Sequence, residues 1–157
     1  MAKKRRKRKA PEKETYEIEV EEWEVYYYFG ITPKTLNDTI RGTYWEIKKL
    51  TLLDKIISPE LKNATKAIVD LSAEPEQDDH WSEKPTILSA KAIGFMEIPR
   101  GEEFLHVYCS VPPRFSNHIH MAIASGKIKC VSIFGTKLKW RKGTTFSITL
   151  STNREEE

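Results

Sequence analysis

Two sets of basic side chains are the residues in this chain best suited to chemistry, and the chemistry is recognition of an anion. Lys3, Lys4, Arg5, Arg6, Lys7, Arg8 and Lys9 form an uninterrupted basic tail, and Lys137, Lys139 and Arg141 recur at every second position near the other end. Alternate residues of a strand point to one side. Lys137, Lys139 and Arg141 are therefore expected on the outer face of a hairpin, beside Thr145, Ser147 and Thr149, with Leu138 and Trp140 turned into the core. Cations neutralise phosphates, and hydroxyls hydrogen-bond to them. Lys142 in the expected turn and Lys127 and Lys129 on the preceding strand extend the set.

The ordinary account of lysines on a strand is solubility or protection of a sheet edge. What sets these apart is that Phe104 to Arg154 contains no Asp or Glu at all, whereas solvated surfaces mix both signs. The acidic residues crowd elsewhere, notably Glu12 to Glu24 and Glu74 to Glu83. The formal net charge of +3 thus hides basic and acidic blocks, and local field rather than net charge selects partners.

Other constellations are weaker. His118 and His120 form an HxH pair, but in an expected helix i and i+2 diverge, which disfavours joint metal ligation. His80 beside Asp78 and Asp79 is a polar cluster of a kind common in loops. No GxSxG or phosphate-cradling glycine loop occurs, so no catalytic, cofactor or metal site is assigned. Single-strand binders stack bases on exposed rings. The expected basic hairpin shows none outward, while Tyr26 and Tyr28 form an exposed pair if their side of the strand is not covered.

The elements that must position these residues are mostly strands. Tyr16, Ile18 and Val20 alternate with glutamates, then the apolar parity shifts to Trp23, Val25, Tyr27 and Phe29, which places a bulge near Glu21 and Glu22 and an end at Gly30. A connection containing Pro33 leads to a β-rich segment over 43–57 and a short strand over 67–71. An acidic loop, 72–85, precedes a hairpin of 87–98 and 104–111 turned by Pro99 to Glu102. Phe115, Ile119, Ala122 and Ile123 share one stripe of a short helix stopped by Gly126. A strand over 128–134 ends at Gly135, and 136–140 pairs with 145–150.

The chain of 157 residues, with 39% hydrophobic and 31% charged residues, reads as one domain over 15–152, between a disordered basic tail (1–14) and a short acidic one (153–157). Strands at short intervals without helical crossovers predict a mainly β, antiparallel fold: a sandwich or partly closed barrel of about eight strands with one short helix. No run suits a signal peptide or a bilayer span, which predicts a cytoplasmic protein, nuclear in a eukaryote, with Cys109 and Cys130 as reduced, buried thiols.

The expected function is a non-catalytic module that binds nucleic acid or another polyanion through the tail and the C-terminal hairpin. A second reading is an assembly subunit whose acidic and basic halves pair with an acidic protein partner or another copy. A third is an enzyme with a site scattered over the strands.

Overall fold

The computed structural model describes residues 8–32, 43–73 and 92–152. The expectations for Lys3 to Lys7, the Pro33 connection, the acidic loop with His80 and the acidic C-terminal tail lie outside them.

Seven strands close into a barrel. In chain order they are β1 (Lys13–Thr32), β2 (Thr43–Ser58), β3 (Lys66–Ala73), β4 (Gly94–Glu97), β5 (Phe104–Val111), β6 (Cys130–Thr136) and β7 (Lys142–Ser151), with one helix, α1 (Pro113–Ala124), between β5 and β6. Around the barrel the order is β1-β2-β3-β5-β4-β7-β6, and β6 returns to β1. Of the two architectures expected, the barrel is the one that forms.

Its pairing is antiparallel except for β3 and β5, which run parallel from Lys66↔Phe104 to Ala73↔Val111. Direct succession of strands points to an all-antiparallel sheet. The chain departs from it because β4 runs back on the far side of β5, so that β5 inserts between its two predecessors and no helical crossover is needed.

The interior is built by strand alternation. Tyr16 and Ile18, Leu50 and Leu52, Val69 and Leu71, Met96, Leu105 and Val107, and Val131 and Ile133 are all buried in one cluster. Burying each of the larger side chains stabilises the fold by about 1.5–3 kcal/mol. A bulge falls at Glu21, which the β1–β2 register skips between Val20 and Glu22, in agreement with the parity of the sequence; an earlier shift lies between Glu17 and Ile18. Beyond it β1 runs on through Gly30 to Thr32. Glycine there does not end the strand because β2 continues to pair with it as far as Thr43.

Helix α1 follows Pro112 and carries Pro113 at its first turn, where the missing N–H costs nothing. Ile119 and Ile123 are buried and Phe115 packs against the core at partial burial. Gly126, at φ 72°, ends it as expected.

The helix, the ends of β3 and β5 and the beginning of β6 lie at one end of the barrel, the helix end. At the other, the tail end, are the start of β1, the β4–β5 turn and the β6–β7 turn. Among the described residues no helix is long and apolar enough to cross a membrane.

Candidate polyanion-binding site

The β6–β7 connection departs most from expectation. β6 does not stop at Gly135 but runs to Thr136, and the chain turns tightly between Lys139 and Lys142, whose backbones bond reciprocally at 2.8 and 3.1 Å. Residues 136–140 are therefore not a separate strand, and Lys137, Lys139 and Arg141 do not form a strand face. A bulge at Phe146, skipped between Gly135↔Thr145 and Phe134↔Ser147, reverses the parity of β7. Thr145 is buried as a result, and only Ser147 and Thr149 point outward.

Trp140 and Arg141 occupy the two central turn positions with φ of 55° and 65°. Such turns favour Asn and Gly, because for other residues the left-handed conformation costs roughly 1–2 kcal/mol each. Arg141 holds the turn in place. Its Nε donates to the Ile98 carbonyl at 2.8 Å, and Nη2 donates to the carbonyls of Pro99 at 3.0 Å and Glu102 at 3.2 Å. These carbonyls belong to the β4–β5 turn, where Gly101 at φ 80° allows the chain to fold back. The Arg141 guanidinium is thus a clamp between two turns rather than an outward phosphate ligand. Trp140, expected in the core, is 87% exposed at the tip.

The other cations divide between the two ends. Lys137, Lys139 and Lys142 are exposed at the tail end. Arg8 and Lys9 are exposed as well, and the chain that follows them is fastened there: the Lys137 amide donates to the Glu12 carbonyl at 2.8 Å, and Lys137 Nζ lies 3.7 Å from a Glu12 carboxylate oxygen. Lys127 and Lys129 are exposed at the helix end, where the Val20 amide donates to the Lys129 carbonyl. Lys129 and Lys137 are separated by about 26 Å along β6, at roughly 3.3 Å per residue. The basic set read from the sequence is therefore two sets, of which the tail end holds the larger.

Aromatic rings accompany the cations. Phe134 is partly exposed, with Lys13 Nζ 5.8 Å from its centroid and Phe146 6.0 Å away. Beside the clamp lies an open groove of about 400 Å³ lined by Lys62, Asn63, Thr65, Glu102, Glu103 and Arg141, which mixes both signs.

At the helix end Trp23, Tyr26, Tyr27, Tyr28 and Phe29 are all exposed, on both faces of β1. β6 pairs with β1 only to Glu19, and β3 pairs with β2 only from Lys48 onward, so the upper β1–β2 ladder projects past the neighbouring strands as a ribbon. Trp23 meets His120 edge-on at 5.7 Å, and Lys48 Nζ donates to Asn117 Oδ1 at 2.6 Å, which ties the ribbon to α1. His118 and His120 diverge on the helix, and no group of three metal-ligating side chains gathers among the described residues.

One polar chain has no counterpart among the expected sites. On the outer face of β5, His106 Nε2 lies 2.7 Å from Glu102 Oε2, and Nδ1 lies 3.2 Å from the Tyr108 hydroxyl. Alternation of His106 and Tyr108 along the strand is the sequence signal that could have found it. Burial raises the Tyr108 pKa, and Asp70, Glu97 and Glu102 raise it further, so the phenol stays protonated and supplies no nucleophile near neutral pH. Cys109 is buried as expected and likewise inert, burial pushing its thiol up to about 12, whereas Cys130 is only partly buried, at the start of β6.

Comparison with family models, with curated proteins and with solved structures finds no match.

Proposed function

We propose that this chain is a non-catalytic module that binds nucleic acid at the tail end of the barrel. The observation that carries this reading is the fastening of Glu12 to Lys137, which brings the root of the basic tail beside Lys137, Lys139 and Lys142. Arg8 and Lys9, at the root of the tail, thereby lie at the same end of the barrel as Lys137, Lys139 and Lys142, more than a hundred residues away in sequence. Their combined field attracts a phosphate backbone and makes binding salt-dependent. The test is titration of labelled single- and double-stranded DNA and RNA at two salt concentrations, with the wild type and a Lys137→Glu, Lys139→Glu, Lys142→Glu variant. Wild-type binding that weakens steeply with salt, and a shallower slope in the variant, are expected. Absence of wild-type binding at low salt refutes the proposal.

The aromatic ribbon favours a second reading, assembly with a protein partner. Trp23 and Tyr26 to Phe29 are exposed next to Glu19, Glu21, Glu22 and Glu24, an acidic and apolar surface suited to a basic partner. A mass above that of the monomer, lost on Tyr26→Ser with Tyr28→Ser, supports it for self-assembly.

A further inference from the structure

The geometry of the β6–β7 turn leads us to propose that the Trp140 indole is a stacking platform for an unpaired base, so that the nucleic acid held at the tail end is single-stranded. This rests on the reading that the tail end binds nucleic acid and narrows it to one class.

The Trp140 ring is not among the side chains of the core or those packed against it. The ring is 87% exposed and touches no core, and its backbone sits at φ 55°, where glycine or asparagine would be at less strain. Residues held in such conformations cluster where a surrounding structure fixes them for function. Here the fixing groups are named: the reciprocal Lys139–Lys142 backbone bonds and the three carbonyls gripping Arg141. The indole is thus presented on a rigid backbone, and less ordering is needed when a partner arrives.

Cations lie close to the ring along the turn, although Glu12 pairs with Lys137 and Glu102 and Glu103 line the groove beside Arg141. Lys137, Lys139 and Lys142 are exposed around it, and Phe134 and Lys13 lie further along the same hairpin and the adjoining strand. A ring for the base and cations for the phosphates are the two components of single-strand binding. A duplex keeps its base faces stacked inside, where an indole on a tight turn cannot meet them. Because every base has a π face, the platform tolerates any sequence, and DNA and RNA share the chemistry it reads.

The test compares wild type with Trp140→Gly, using oligothymidylate, oligouridylate and a DNA duplex of equal length as probes. Glycine suits the positive φ, so the variant should melt at or above the wild-type temperature. Affinity for oligothymidylate or oligouridylate, or both, should fall about tenfold or more, while duplex affinity and the salt slope stay unchanged. Trp140→Phe should restore most of the loss. The two single strands decide whether DNA, RNA or both are held. If Trp140→Gly binds single strands as the wild type does, the stacking role is wrong and the charge-based reading survives. Failure of the wild type to bind any probe at low salt overturns both.

Discussion

Arg141 and Ile98 bond to each other in both directions: the Arg141 Nε donates to the Ile98 carbonyl at 2.8 Å, and the Ile98 amide donates to the Arg141 carbonyl at 2.9 Å. The β4–β5 and β6–β7 turns are therefore one structural unit. Lysine lacks the planar fork that serves several carbonyls together. Arg141→Lys should cost about 1.5–3 kcal/mol in urea denaturation, the usual worth of charge-assisted bonds. Its salt slope with nucleic acid should match the wild type, in contrast to Lys139→Glu. Wild-type stability in Arg141→Lys would contradict the clamp.

Asp54 stands inside the barrel, 2% exposed, with neither carboxylate oxygen in a well-formed hydrogen bond. Burial pushes its pKa from 3.8 to about 8, the nearby Glu21 amide at the bulge offsetting part of this and the Glu21 carboxylate adding to it. The folded state holds this proton more tightly than the unfolded chain, so the contribution to stability is complete below about pH 4 and is lost progressively towards pH 8. Asp54→Asn cannot ionise. It should exceed wild type by a few kcal/mol near pH 8, with little difference near pH 4, since each tenfold difference in proton affinity between the two states is worth about 1.4 kcal/mol. Denaturant midpoints across this range check it, and parallel curves for the two proteins would contradict it.

Ile119 and Met121 lie two positions apart on α1 but in opposite environments, the first buried and the second 73% exposed. Ile119→Asp places an unpaired charge in the core and should unfold or severely destabilise the protein. Met121→Asp should stay within about 0.5 kcal/mol of wild type. Circular dichroism melts of both variants distinguish a docked helix from a peripheral one.

Deleting residues 2–10 leaves Glu12 and Lys137 in contact, so the melting temperature should change little. Nucleic-acid affinity should fall, and the loss should add to that of the triple lysine variant if the two regions meet different phosphates. A large drop in melting temperature would instead show that the tail docks on its own fold.

The parts of the fold legible in the sequence are those governed by one local pattern. The Glu21 bulge follows from a parity slip, α1 from a single apolar stripe, and the β4–β5 turn from Pro99 and Gly101. The parallel β3–β5 pair is not legible, because insertion of a strand between its predecessors is a tertiary choice without local signature. The candidate site departs from expectation at its centre for a related reason. Gly135 resembles a strand end, the Phe146 bulge carries no marker, and Trp140 and Arg141 replace the Asn-Gly pair that announces a tight hairpin turn. Alternation extended past Thr136 then turns Trp140 inward and Arg141 outward, the reverse of their places in the turn. The other sequence signal, absence of acidic residues over 104–154, points to a region but carries no geometry.

The β1–β6 seam has a consequence for the order of events during synthesis. Tyr16 donates its hydroxyl to the Thr136 carbonyl, 120 residues further on. At about 5–20 residues per second, the first half of β1 waits roughly 6 to 24 seconds for the strand that will cover it. β2 can pair its other edge from Glu17 onward much sooner, but the edge that faces β6 stays open, and an open edge of alternating apolar residues is an aggregation hazard while it waits. Glu17, Glu19 and Glu21 interrupt Tyr16, Ile18 and Val20 at every second position, and such charges act as gatekeepers against pairing with other nascent chains. The alternating glutamates of β1 thus fit a guarding role on the growing chain, besides the bond that Glu17 accepts from Ser132 in the finished barrel.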